Sequence, residues 1–222
     1  DLNHTEFIFR NNSLFDKCRE ICLRKNPDCI ENLFCIFSKF FYFLSEEANI
    51  EFIRNGLFDV VVQYFFHSSE KVRISAMKCI SNCLVFEDNS NLIYQTFTPE
   101  FVCSMIDASR DESIRFYEKN EIIWILVNLA EKFSGMRDLL FKSQPNMELM
   151  VDYLNMSSKE TSILILDILD KLLDTQNNEF LFIFSLFIQS GGTDAIENLM
   201  CNHDEDLAQS SQYFFDKYLS DM

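Results

Sequence analysis

Glu121-Ile122-Ile123-Trp124-Ile125-Leu126-Val127-Asn128 lies at the centre of a longer segment, Tyr117–Phe133. Within that segment Ile122, Ile125, Leu126 and Leu129 fall at i, i+3, i+4 and i+7. This spacing lines one face of an α-helix, and the run is too long for an ordinary strand. Segments of the same kind occur at Pro27–Phe43, Val72–Phe86, Lys159–Leu173 and Glu205–Leu219. Taken together, the five begin at residues 27, 72, 117, 159 and 205, so successive starts are 45, 45, 42 and 46 residues apart.

Shorter segments recur between them. Glu46–Arg54, Asn91–Phe97, Gly135–Lys142 and Phe180–Gln189 each lead into a bend, marked by Asn55-Gly56, Thr98-Pro99, Gln144-Pro145 and Gly191-Gly192. A second helix follows each bend: Leu57–Phe66, Glu100–Ala108, Asn146–Leu154 and Thr193–Met200. Polar links (Ser68-Ser69-Glu70, Ser109–Asp111, Ser157-Ser158 and His203–Glu205) then open the next long helix. The unit is short helix, bend, helix, polar turn, long helix, in the length range of armadillo and HEAT repeats. Such units bury their apolar faces only by stacking. The expected fold is all-α: a right-handed, armadillo-type superhelical solenoid of about four to five repeats. The array is expected to span residues 27–222, and residues 1–26 to form an N-terminal helical cap or the remnant of an upstream repeat. The β-branched triplet Val60-Val61-Val62 offers a strand as the local alternative.

Composition agrees with this reading. Only four Gly and three Pro occur in 222 residues, too few for the turns of a sheet-rich fold or the ligand loops of a doubly wound one. Lys and Arg total 19 against 35 Asp and Glu, a net charge of −16. Nucleic acid and anionic membrane are therefore excluded as expected partners, and a basic one is favoured. No apolar run is long enough to span a bilayer. The cysteines, eight in all, fall mainly in apolar helical runs, where they are expected as reduced, small hydrophobes. Cys18/Cys22 and Cys79/Cys83 each lie four apart, but the three His are isolated, so neither a metal site nor any cofactor is expected.

The candidate site is on the third long helix. Trp124 and Asn128 share one of its faces, one turn apart, and Glu121 precedes Trp124 by three residues. In the preceding long helix Asn82 occupies the place of Asn128, and Lys78 the place of Trp124. Packed helices about 8–10 Å apart can present an Asn ladder to roughly every third residue of an extended peptide, which advances ~3.3 Å per residue. An Asn amide matches an unpaired peptide unit because it both donates and accepts. Beside it, Trp124 can receive the stem and ammonium of a Lys, and Glu121 can neutralise the charge. The competing reading is that Trp124 is core and Asn128 merely solvated.

Trp124-Ile125-Leu126-Val127-Asn128 is similar to the Trp-x-x-x-Asn signature of importin-α, the armadillo-repeat receptor for nuclear localisation signals. Ser162–Leu169 resembles the penultimate repeat of that family. The closing stretch resembles its last repeat: Gly191-Gly192, Ile196-Glu197-Asn198-Leu199, His203-Asp204-Glu205, then Phe215-Asp216-Lys217-Tyr218. The likeness runs from about Cys29 to Ser220. It implies that Asn82 and Asn128 hold signal backbone, and that Trp124 with Glu121 holds a Lys or Arg side chain, in the minor-site region. Three departures stand out: Lys78 replaces a Trp, Ser75 stands where an acid belongs, and Asp167 and Lys171 replace a Trp/Asn pair. The resemblance further implies Lys/Arg-rich cargo segments and an importin-β-family transport or export receptor as partners, and a location in cytoplasm and nucleus. No upstream repeats precede residue 27 to carry a major site. Either the chain is a fragment or it is a divergent descendant of the family.

No glycine-rich phosphate loop, nucleophile elbow or His-centred triad is present, so no enzymatic activity is expected. Asp167, Asp170 and Asp174 are expected as a solvated acidic face, Met147, Met150 and Met156 as packing, and Phe180–Phe187 as a buried apolar helix. The alternative function is a scaffold of the same fold that binds a folded partner and carries no cargo.

Overall fold

A computed structural model of the chain describes residues 12–43, 46–84, 93, 95–174 and 178–220. The described residues are helices joined by turns, with no strand among them. They form two compact units, Asp1–Ile125 and Leu126–Met222, whose boundary falls inside one helix.

The N-terminal unit holds α1 (Asn12–Leu23), α2 (Pro27–Phe43), α3 (Glu46–Arg54), α4 (Leu57–Val62), α5 (Glu70–Leu84), α6 (Pro99–Arg110) and the first part of α7 (Phe116–Lys132). Long helices α2 and α5 pack along each other, and α1 packs on α2 and α4. The core is built from phenylalanine: Phe15, Phe34, Phe41, Phe52, Phe58, Phe65 and Phe97 are fully buried. Their rings meet edge to face, with Phe52 5.0 Å from Phe37 and 4.7 Å from Phe41. That geometry sets the positive edge of one ring against the negative face of the next.

The C-terminal unit holds the rest of α7, then α8 (Ser134–Phe141), α9 (Gln144–Met156), α10 (Lys159–Leu173), α11 (Asn178–Gln189), α12 (Gly192–Met200) and α13 (Glu205–Tyr218). Here α10 packs on α9, α11 and α13, and α12 packs on α9, α11 and α13.

Long helices begin where polar links supply caps. Asn26 accepts from the amides of Asp28 and Cys29 at 3.1 and 3.3 Å, Ser158 from Thr161 at 3.4 Å, and Asp204 from Leu207 at 3.1 Å. Each bond satisfies an amide that the first turn leaves orphaned. Both ends of the long helices are then stapled by charges one repeat apart. At the starts, Arg73 pairs with Glu118 and Lys159 with Asp204, each at 3.0 Å. At the ends, Lys171 pairs with Glu131, and Lys217 with Asp170 at 2.9 Å.

Several expectations need correction. The helices that follow the bends at Thr98-Pro99 and Gln144-Pro145 begin one and two residues earlier than expected, at Pro99 and Gln144: Thr98 caps α6 and both prolines lie in first turns. Proline lacks only an amide hydrogen that has no helical partner there. The helix expected over Leu57–Phe66 ends at Val62 and continues as turns, with the amides of Tyr64 and Phe65 bonded to Val61 and Val62. Val60-Val61-Val62 is helical. Phe180–Phe187 is not buried throughout, since α11 turns Ile183 and Phe187 inward and leaves Leu181 and Phe182 exposed. Of the cysteines, Cys18, Cys22, Cys79 and Cys83 are buried, but Cys29, Cys35, Cys103 and Cys201 are exposed. Residues 91, 92 and 94 of the short helix expected at Asn91–Phe97, and the last two residues of Val72–Phe86, lie outside the described residues, while Gln95–Phe97 form a turn and bend rather than helix.

The two glycines before α12 do different work. Gly191 adopts φ 81°, the left-handed region that L side chains rarely enter, and a Cβ there would meet nothing within 4 Å. A Cβ on Gly192 would lie 2.4 Å from the buried Phe187 ring. Gly191→Ala is therefore expected to cost about 1–2 kcal/mol in backbone strain, and Gly192→Ala about 1–3 kcal/mol in overpacking. Adding Phe187→Leu should make the second loss less than additive and leave the first additive. Urea denaturation of the single and double variants checks this.

Candidate functional site

In the N-terminal unit α5 and α7 meet at Ser81 and Glu121. The Ser81 hydroxyl bonds the Met77 carbonyl at 2.9 Å and reaches Glu121 Oε2 at 3.5 Å. Beside this contact the Lys78 charge acts on Glu121, while Asn82 lies one residue beyond Ser81 on α5 and Trp124 three residues beyond Glu121 on α7. Glu121 is half-buried, and that burial pushes its carboxyl up, while the Lys78 charge and the Ser81 hydroxyl pull it down. Lys78 is exposed and Trp124 is partly exposed.

The asparagines sit differently from the expected open ladder. Asn82 donates from its amide nitrogen to the Ser38 carbonyl at 2.8 Å and to the Ser38 hydroxyl at 3.1 Å, tying α5 to α2. Asn128, one turn beyond Trp124 on α7, is only 7% exposed. The Asn82 amide nitrogen is thus committed to Ser38, while the Asn82 side chain is half-buried. Ser75, where an acid would be wanted, is buried with its hydroxyl 3.3 Å from Cys35 Sγ.

The C-terminal unit holds a cleft that sequence reasoning missed. It lies between α10 and α13, has a volume of about 300 Å³, and has Leu166 and Phe214 among its apolar residues. Asp167, Asp170, Gln209, Ser210 and Tyr213 supply the polar part. Asp167 and Asp174 are exposed, as expected of a solvated face, but Asp170 is not simply solvated. Asp170 accepts from Lys217 at 2.9 Å and from the Tyr218 hydroxyl at 2.8 Å, and Asp174 lies 3.3 Å from Lys217. These bonds, that to Asp170 first, hold the Lys217 ammonium well above its usual range. Burial pushes the Tyr218 phenol up to about 12. The signal available in the sequence was the spacing: Asp170 and Lys217 are 47 residues apart, one repeat, with opposite charges at matching helix ends.

Among the described residues no three His, Cys, Asp or Glu side chains converge as metal ligands, and no helix is long and apolar enough to cross a membrane.

No protein-family model matches the chain, and no curated protein matches its sequence. Solved structures do match it in fold. A designed armadillo repeat protein in complex with the peptide (KR)4 aligns with a TM-score of 0.56 at 15% identity, over 98% of this chain and 99% of that one. A computationally designed armadillo repeat protein for modular peptide recognition gives 0.61 at 13% identity, over 91% and 98%. An engineered protein gives 0.69 at 12% identity, over 93% of this chain and 48% of that one. At these identities the likeness establishes the fold alone: the chain is an all-α, armadillo-type repeat array.

Proposed function

We propose that this chain is a non-catalytic scaffold that binds extended, Lys/Arg-rich peptide segments on its long helices. The observation that carries the proposal is the α5/α7 seam, where the half-buried carboxylate of Glu121 lies on the same helix as the partly exposed Trp124, three residues before it. A carboxylate beside an aromatic face is what a Lys or Arg side chain needs. The net charge of −16 favours the approach of such a ligand. A neighbour in fold has been solved with a peptide of alternating Lys and Arg, the same ligand chemistry. In its narrower form the proposal is an importin-α-like nuclear import adaptor. Basic localisation signals on cargo are its ligands, an importin-β-family receptor is its second partner, and cytoplasm and nucleus are its compartments.

Trp124 is the sole tryptophan, so its fluorescence reports directly on the seam. Titration with a (Lys-Arg)4 peptide at low salt is expected to give a saturable change. Glu121→Gln should weaken binding roughly two- to fivefold, as for a partly exposed charge pair. A flat response contradicts the proposal. It would favour a second reading, a scaffold for a folded partner, which draws support from the bonds that commit Asn82 to Ser38 and from the burial of Asn128.

A further inference from the structure

We infer that the cleft between α10 and α13 receives the side chain of one arginine from an extended segment of a partner protein, with Asp167 as its anchoring carboxylate. The inference rests on the peptide-binding reading above and assigns a ligand to a place that the Trp124 seam does not include.

The charges around the cleft favour a cation. Around the cleft the other acids have cations: Glu131 holds Lys171, and Asp170 and Asp174 share Lys217. The exposed Asp167 carboxylate has neither an ion pair nor a side-chain hydrogen bond among the described residues. Lys171, one turn further along α10, is committed to Glu131. Partial burial, with Glu131 and Asp170 nearby, pushes the Asp167 carboxyl up despite Lys171. An anion in that position gains from an added cation.

The shape and lining of the cleft favour a long side chain. The cleft offers Leu166 and Phe214 to the methylene stem of a long side chain, and a volume of about 300 Å³ to hold it. Tyr213 is 57% exposed at its edge, and Gln209 adds a side-chain carbonyl. The Lys217 ammonium already lies 5.6 Å from the Tyr213 ring centre, so this ring accepts cations in the free protein. Arginine fits better than lysine. Its planar fork can pair with a carboxylate while lying flat on an aromatic ring, and it is the less strongly hydrated cation.

Fluorescence anisotropy with labelled (Lys-Arg)4, and with a second peptide carrying citrulline in place of each Arg, tests the inference. Asp167→Asn should weaken (Lys-Arg)4 about tenfold, the loss of one charge-assisted contact, and should leave the citrulline peptide unaffected. Tyr213→Leu should act in the same direction. Glu197→Gln removes the same charge from an exposed position on α12 and should change affinity less than about twofold. Without ligand, Asp167→Asn should melt at or above the wild-type temperature, because it removes an uncompensated anion. If wild type binds (Lys-Arg)4 and both cleft variants bind it within twofold of wild type, the inference is overturned while the broader function stands. If wild type does not bind the peptide at low salt, both fall.

Discussion

Glu118→Ala is expected to destabilise the N-terminal unit by about 3–5 kcal/mol, the cost of breaking a buried ion pair from one side. The Glu118 side chain is 2% exposed and that of Arg73 is 22% exposed. The guanidinium donates from Nε to Oε2 at 3.2 Å and from Nη2 to both carboxylate oxygens at 3.0 Å. Its Nη1 donates to the carbonyls of His67 and Ser68 at 2.9 and 3.2 Å. Removing the carboxylate leaves a charged, largely covered guanidinium with backbone oxygens alone. Glu118→Gln keeps an acceptor and should lose less. The double variant Arg73→Met with Glu118→Leu leaves no stranded charge and should recover much of the loss. By contrast, the neighbouring Arg115–Glu70 pair has its arginine 66% exposed, and Glu70→Ala should cost no more than about 1 kcal/mol. Urea denaturation followed by circular dichroism measures all four. A loss below about 1 kcal/mol for Glu118→Ala would show that this pair does not hold α5 to α7.

Phe52→Ala is expected to cost a similar amount, about 3–5 kcal/mol, by a different mechanism. Phe52 is fully buried on α3, with Phe37 and Phe41 of α2 packed edge to face against it. Truncation removes the transfer energy of the ring, opens a cavity beneath two aromatic neighbours, and deletes two oriented ring pairs. Phe52→Leu keeps most of the volume and should cost clearly less. Phe182→Ala on α11 is the control: its ring is half exposed, and the change should fall within about 0.5 kcal/mol of wild type. Equal losses at Phe52 and Phe182 would contradict the assignment of the phenylalanine core.

The long helices were legible because their apolar positions repeat at helical spacing and their starts are marked by capping residues. Pro27–Phe43 and Lys159–Leu173 are helical over the expected spans, and Asn26 and Ser158 cap them. What depends on a neighbouring helix was not legible. Proline as a breaker and proline in a first turn look alike in one dimension, and Thr98 decides between them by capping α6. The exposure of Leu181 and Phe182 follows from which face α11 turns to its neighbours, a choice that a uniformly apolar stretch does not encode.

The candidate site divides in the same way. Lys78, Asn82, Glu121 and Trp124 were singled out by position in the repeat, and of these the structure brings Lys78 near Glu121, next to the contact that Glu121 makes with Ser81. The bond that commits Asn82 to Ser38 depends on the approach of α2, 44 residues away. The cleft at Asp167 was read as an acidic surface, because its neutralising lysines and Tyr213 come from α13 and from the end of α10. Complementary charges one repeat apart, such as Asp170 with Lys217, are the feature that finds such places in advance.

The most direct test of the account is an amide NMR spectrum of the 26.2 kDa chain titrated with (Lys-Arg)4. Saturable shifts are expected on the long helices, α5 and α7 around Glu121 and Trp124, and α10 and α13 around Asp167 and Tyr213. Shifts confined to α8, α9, α11 and α12, or no shifts at low salt, would contradict this expectation.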